Sequence, residues 1–131
     1  MTATTLRVSE AAALIGVSDD TIRRWADNGR LELTKAPNGR LTVDGVQLAA
    51  LAQELAAEAP STAPSTTSTR NRLTGIITKI TRDTVMAQVE LQAGPFRLVS
   101  LISREALDEL GLEVGTVAAA TVKATSVGIS L

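Results

Sequence analysis

The hydrophobic rhythm of the chain changes once. Up to residue 57 apolar residues recur at three- and four-residue intervals, as on one face of a helix, and beyond residue 68 they alternate with polar ones, as on a strand. In the first half, Ser9 is placed to cap a short helix carrying Ala12, Ala13 and Ile15, which Gly16 is suited to end. Ser18 can cap a second helix, with Asp19 and Asp20 in the first turn, where the helix dipole favours negative charge. Its face of Ile22, Trp25 and Ala26 should be buried, its opposite face carries Thr21, Arg23, Arg24 and Asn28, and Gly29 is placed to stop it. Two short helices joined by a tight turn form the helix-turn-helix pattern. LEL and RLTV then flank TKAPNG, whose Asn38-Gly39 pair suits the positive φ angles of a hairpin turn, so a small β-wing is predicted with Lys35 and Arg40 at or near its tip. Asp44 and Gln47 have capping-box spacing ahead of a helix striped with Leu48, Leu51, Ala52 and Leu55.

In the second half Val85, Ala87, Val89 and Leu91 alternate with Met86, Gln88 and Glu90, the pattern of a half-buried strand. RLTGIITKI before it and PFRLVSLI after it are strand-like too; Ser103 can cap the helix REALDEL, Gly111 can end it, and two more apolar segments follow, TVAAATVK and SVGISL. The order β-β-β-α-β-β predicts a small OB-like five-stranded β-barrel. Between the two rhythms lies AAEAPSTAPSTTST, where Ser, Thr, Pro and Ala replace the periodicity. The expected fold class is therefore α+β in two domains: a winged helix-turn-helix over residues 1–57, a linker over 58–67 and the barrel over 68–131.

Composition narrows the chemistry. The chain has 131 residues, no cysteine and no histidine, so disulfides, thiolate or imidazole metal sites and the usual general bases are excluded. Trp25 and Phe96 are its only aromatic residues, which disfavours base stacking on a single strand. No apolar run approaches the roughly 20 residues of a membrane span, and MTATTLRVSE lacks the pattern of a signal peptide, so a soluble cytoplasmic protein is expected. There are no paired carboxylates in a plausible cleft arrangement, and no enzyme is expected.

Charge is unevenly placed. Residues 1–58 hold six basic residues (Arg7, Arg23, Arg24, Arg30, Lys35, Arg40) against eight acidic (Glu10, Asp19, Asp20, Asp27, Glu32, Asp44, Glu54, Glu58), a balance of −2. Between residues 21 and 40, however, five of the basic residues face only Asp27 and Glu32, a local +3 on the second helix and the wing. Ser18, Thr21, Arg23, Arg24, Asn28, Lys35 and Arg40 are the candidate contacts to double-stranded DNA, while Trp25, sharing a face with Ile22, is expected in the core.

The phrase GVSDDTIRRWADNGRL, with the wing and helix after it, resembles the winged helix-turn-helix of the MerR/excisionase type over most of residues 5–57. RNRLTGIITKI, LVSLISREALDELGL and VKATSVGI, in that order, resemble the molbindin or Mop domain, a TOBE-type module that binds molybdate and tungstate. That resemblance implies an oxyanion held between subunits by Ser68, Thr69, Arg70 and Asn71, by Ser100, and by Lys123, Ala124 and Thr125 of a neighbour, with no direct metal coordination and no cofactor. It also implies a homo-oligomer, dimer or hexamer, assembled through this domain. Arg, Lys, hydroxyl and backbone N–H groups suit a tetrahedral dianion, whose four oxygens accept hydrogen bonds and donate none. Taken together, the two halves lead to the expectation of a molybdate- or tungstate-responsive DNA-binding regulator; the alternative is a molybdate storage or buffering oligomer whose helix-turn-helix domain serves assembly or protein contacts.

Overall fold

Residues 4–59 and 66–131 are described by the computed structural model, so most of the stretch expected as a linker, at 60–65, lies outside the described residues. The chain divides into two units, Met1–Ser61 and Thr62–Leu131. The first is mainly helical and the second is a curled antiparallel sheet with one helix.

In the first unit a strand β1 (Thr5–Arg7) leads directly into α1 (Val8–Ile15), so the expected cap at Ser9 is corrected: Arg7 stands at the N-cap and Ser9 lies inside the helix. An arginine side chain has no acceptor for the helix, and the bond runs the other way, from the Arg7 backbone N–H to the Glu10 carboxylate at 2.9 Å. The earlier start rotates the buried face to Val8, Ala11 and Ala12 and leaves Ala13 exposed. Gly16, at φ +80°, turns the chain as expected, and Ser18 caps α2 (Asp19–Asp27) by accepting from the Thr21 N–H at 3.1 Å. At the far end Gly29 follows the cap residue Asn28 with φ +77°, and the Arg30 N–H returns to the Trp25 carbonyl at 2.9 Å, a Schellman closure.

The hairpin of β2 (Leu33–Lys35) and β3 (Leu41–Asp44) is present, and β1 adds to its other side, giving the sheet order β1-β3-β2. Its turn differs from expectation. No non-glycine residue has positive φ among the described residues, so Asn38 does not share the left-handed region with Gly39 (φ +84°). Pro37 and Asn38 instead form the middle of a turn closed by the Gly39 N–H on the Ala36 carbonyl at 2.8 Å, and Gly39 alone makes the reversal. Asp44 does stand at the N-cap of α3 (Gly45–Glu58), but the capping box is not formed: Gln47 reaches across to accept from the Glu32 backbone N–H at 3.2 Å. Ile22 and Val43 are fully buried in a core completed by Val8, Ala11, Ala12, Leu31, Leu48 and Leu51, with Trp25 packed partly buried against it.

The second unit orders its strands β6-β5-β4-β7, all antiparallel: β4 (Asn71–Arg82), β5 (Met86–Ala93), β6 (Phe96–Ser103) and β7 (Val117–Val122). Along β5 the alternation buries Ala87, Val89, Leu91 and Ala93; Val85, expected in the strand, precedes it, because the Asp83 carboxylate gathers the Val85 and Met86 N–H groups into a turn at 2.8 Å each. A bulge between Ile77 and Lys79 bends β4, and Gly75 sits where any Cβ would press on the Gln92 carbonyl of β5. Ser103 caps α4 (Arg104–Leu110) through the Ala106 N–H at 3.0 Å, and Leu107 plugs the inner face at 1% exposure. The expected fifth strand over 126–131 is not observed: Ala124–Ser126 make a 3-10 turn, and Val127, Ile129 and Leu131 beyond it are exposed. Both β6 and β7 are thus edges, and the single chain offers the tail no paired strand; an apolar groove of about 370 Å³ opens along Leu98 and Ile102 on one side and Ala118 and Ala120 on the other.

Candidate functional site

Two groups of candidate residues, one in each unit, follow from this scaffold. On α2, Arg23 and Arg24 are exposed, and neither has a carboxylate oxygen within 4.0 Å among the described residues. The same holds for Lys35, which ends β2, and Arg40, which follows the hairpin turn. The ion pairs of this unit use other cations: Arg7 with Glu10 at 3.2 Å, and Arg30 with Glu54 at 3.8 Å and Glu58 at 3.3 Å. Arg30 also lies over the Trp25 ring, 5.9 Å from its centroid, so it ties the end of α2 to α3 and holds Trp25 against the core. Ser18 and Thr21 form the helix cap, their hydroxyl oxygens 3.0 Å apart, and Asn28 is the C-cap. The sequence candidates therefore divide into four uncommitted cations and three residues that build the helix ends.

Arg7 escaped the sequence reading. It pairs with Thr42 across the β1–β3 ladder, and this brings it beside Arg40 and Leu41, around a shallow pocket that Ser9, Asp19 and Arg23 also line. Nothing local in the sequence signals the pairing. Arg7 also acts on its partner: its backbone N–H, and then its guanidinium, hold the Glu10 carboxyl below the usual range.

In the second unit the β4–β7 register pairs Asn71 with Val122. Antiparallel pairing then leaves Arg70 and Lys123, the next residues outward, at the same end of the ladder in one chain. Asn71 spends one amide N–H on the Val122 carbonyl at 3.0 Å, which pins this end. Ser68 and Arg70 are exposed, Thr69 is partly buried, and Lys123, Ala124 and Thr125 are exposed around the 3-10 turn. Arg70 and Lys123 have no carboxylate within 4.0 Å among the described residues. Ser100 is not joined to them by register, since it pairs with Val89 on the far side of the sheet; it lines the apolar groove, together with Thr121 and Val122 of β7. The strand end thus offers two cations and several donors to an anion. No group of three His, Cys, Asp or Glu side chains that could hold a metal ion occurs among the described residues. No described helix is long and apolar enough to cross a membrane.

Comparison with known proteins agrees with this division. Residues 5–56 match the helix-turn-helix domain family, and residues 67–129 match the TOBE domain family. Two solved structures are similar to half of the chain: a molybdate binding protein from Sporomusa ovata, 31% identical over 97% of that chain and 50% of this one (TM-score 0.48), and MopII from Clostridium pasteurianum in an apo form, 36% identical over 100% of that chain and 50% of this one (TM-score 0.47). No curated protein matches the chain.

Proposed function

We propose that this chain, a helix-turn-helix domain followed by a TOBE domain, is a molybdate-responsive DNA-binding transcriptional regulator of the MerR/excisionase-type winged class. The observation that carries the reading is where the cations without a carboxylate partner among the described residues fall. Arg23, Arg24, Lys35 and Arg40 fall on α2 and the hairpin, where a duplex would meet them; in the second unit Arg72, Lys79 and Arg82 along β4 are also without a carboxylate, and it is the place of Arg70 and Lys123 at one end of the β4–β7 ladder that sets those two apart. Cations left without carboxylates are available to phosphates and oxyanions. In this reading α2 enters the major groove with Arg24 toward base edges, and Lys35 and Arg40 follow the phosphate backbone.

Molybdate would be held through its oxygens by Ser68, Thr69, Arg70, Asn71, Ser100, Lys123, Ala124 and Thr125. Sequence identity with the Sporomusa ovata protein supports that ligand class, and tungstate, of the same shape and charge, would meet the same donors. The apolar surface left open on the second unit supports assembly as a homo-oligomer, dimer or hexamer, through that unit, with residues 58–67 as the tether between a DNA-binding part at 1–57 and an oxyanion-binding part at 68–131. A cytoplasmic binding protein without catalysis completes the proposal.

The test is a gel shift on the DNA upstream of the protein's own gene, with and without molybdate. A molybdate-dependent change in a sequence-preferring complex is expected. Equal binding of that DNA and random duplex at physiological salt would instead favour a molybdate storage oligomer, the reading to which the −2 balance of residues 1–58 lends weight.

A further inference from the structure

The shallow pocket lined by Arg7, Val8, Ser9, Asp19, Arg23, Arg40 and Leu41 joins three parts of the first unit that lie apart in sequence: the entry to α1, the first turns of α2, and the residues that close the hairpin. We propose that it holds one phosphodiester of a DNA backbone, with Arg7, Arg23 and Arg40 as the ligands to its oxygens. This rests on the DNA-binding reading above and adds Arg7 and Ser9 to the contacts.

Charge selects the ligand. Arg7, Arg23 and Arg40 supply three positive charges; Asp19 lines the same pocket and Glu10 is paired with Arg7, so two negative charges offset them. The remaining single positive charge matches a phosphodiester, which carries one negative charge, better than a terminal or free phosphate, which carries closer to two. Donors are available as well. Only Nε of Arg7 is engaged by Glu10, at 3.2 Å, which leaves its two Nη groups without a partner among the described residues. Arg23 and Arg40 make no ion pair there, and Ser9, the second residue of α1, adds a hydroxyl and a backbone N–H not used within the helix. A single phosphate held from all three parts would fix the hairpin relative to α2, the geometry that base reading by Arg24 needs.

The experiment uses the full chain and a short duplex of mixed sequence, with affinity measured across a salt series by fluorescence anisotropy. Because the backbone term does not depend on sequence, no operator is required. Arg7→Gln is expected to lower the slope of log affinity against log salt by about 0.9, the release of one counterion, with the helix content unchanged by circular dichroism. Arg40→Gln should do the same, and the double variant should lose less than the sum of the two, since both act on one phosphate. Asp19→Asn should bind the duplex more tightly than the parent. Glu10→Gln separates the roles: it breaks the Arg7–Glu10 ion pair but leaves the cation, so it should bind as well as or better than the parent, whereas a merely structural Arg7 would make it bind as weakly as Arg7→Gln. A parent that binds the duplex while Arg7→Gln binds it equally, with the same slope, overturns the pocket and leaves the DNA reading standing. A parent that binds no duplex at low salt overturns both.

Discussion

Of the large hydrophobic residues that stand exposed among the described residues, three (Leu14, Leu41 and Val46) belong to the first unit and twelve belong to the second, from Ile76 to Leu131. The two units are of similar size, so the difference lies in architecture. The first folds three helices and a small sheet around one core, to which every element contributes an apolar residue, though Leu6 of β1 and Leu33 of β2 are only partly buried. The second curls a four-stranded sheet over α4 and buries six hydrophobic residues among those described, against eight in the first, with two alanines in each core. Val99 and Leu101 on β6, Val117 on β7 and the tail residues Val127, Ile129 and Leu131 are left in solvent, where such a collection of apolar surface marks an association site. The first unit has closed its core and presents on the outside its proposed DNA contacts, cations without a carboxylate partner among the described residues; the second has left its core open and is proposed to complete it with a copy of itself.

The contrast is broken most directly by placing a charge on each unit. Leu101→Glu, on the outer row of β6 at 67% exposure, should cost roughly 3 kcal/mol of association, about two decades in the self-association constant, and release monomers seen by sedimentation. Leu14→Glu, at 68% exposure on α1, should leave the assembly unchanged. The two leucines are equally exposed in the single chain, so opposite outcomes would show that exposure means something different in each unit. A folded monomer of the parent at micromolar concentration would remove the contrast altogether. Next in size, Arg70→Ala and Lys123→Ala should each weaken molybdate binding by about 1.5–3 kcal/mol in calorimetric titration, the range for hydrogen bonds to a charged group, with the second unit still folded. Undiminished binding in both would make them ordinary solvated charges.

How far each unit was legible in the sequence follows the same division. Features fixed within a few residues were readable: the caps at Ser18 and Ser103, the stops at Gly16 and Gly111, and the alternation from Ala87 to Leu91 all stand where the residue types place them. Features set by partners distant in sequence were not. Thr5–Arg7 carry no strand signal of their own and become β1 only by pairing with β3, which then moves the N-cap of α1 from Ser9 to Arg7 and brings Arg7 beside Arg40. Gln47 has the spacing of a capping box, yet Glu32 offers it a backbone N–H across the fold. In the tail the alternation of Val127, Ile129 and Leu131 is correct strand grammar, but a strand also needs a partner, and the tail pairs with neither free edge, β6 or β7, of its own sheet. For the candidate sites, the residue types were legible; the placing of Arg70 and Lys123 at one end of the ladder came from the β4–β7 register.

Two smaller effects sharpen the comparison. Gly75→Ala should destabilise the second unit by about 1–3 kcal/mol in thermal melts, because the new Cβ would press on the Gln92 carbonyl and lie 2.7 Å from Leu91 Cδ2, with backbone on one side unable to yield. Gly128→Ala, with nothing within 4 Å, should be neutral, and the first unit should not respond to either. On the DNA side, Arg24→Ala should cost about 1 kcal/mol or more and relax sequence preference, while Lys35→Ala should weaken binding evenly across sequences and lower the salt slope by roughly 1. Identical behaviour of the two variants would mean that α2 and the hairpin are not divided between base and backbone contacts.

The smallest effect separates the units by the origin of a single carboxylate's acidity. Glu10 in the first and Asp83 in the second are each held below the ordinary range, and in each the largest cause is a backbone N–H: that of Arg7 for Glu10, and those of Met86 and then Val85 for Asp83. The second cause differs. For Glu10 it is the Arg7 guanidinium, whereas Asp83 draws its two main bonds from uncharged donors, at 2.8 Å each. A carboxyl whose folded pKa lies below its unfolded one stabilises the fold above the unfolded value, about 4, and this contribution is lost as pH falls through the folded value. Both units should therefore lose some stability in acid, with the loss confined to the region below about pH 4. Salt screens the interaction of Glu10 with a cation but leaves a short bond to a neutral N–H nearly untouched. Asp83 also feels the Arg104 charge, but only as a lesser cause behind its two backbone bonds, so carboxyl carbon shifts followed by NMR against pH, at low and high salt, should show the Glu10 midpoint rising more with salt than the Asp83 midpoint. Arg7→Gln should raise the Glu10 midpoint to nearly the same extent as salt does, because the backbone bond survives in both cases. A Glu10 midpoint that moves neither with salt nor in Arg7→Gln would show that the guanidinium contributes nothing there, and that Arg7 holds the start of α1 through its backbone alone.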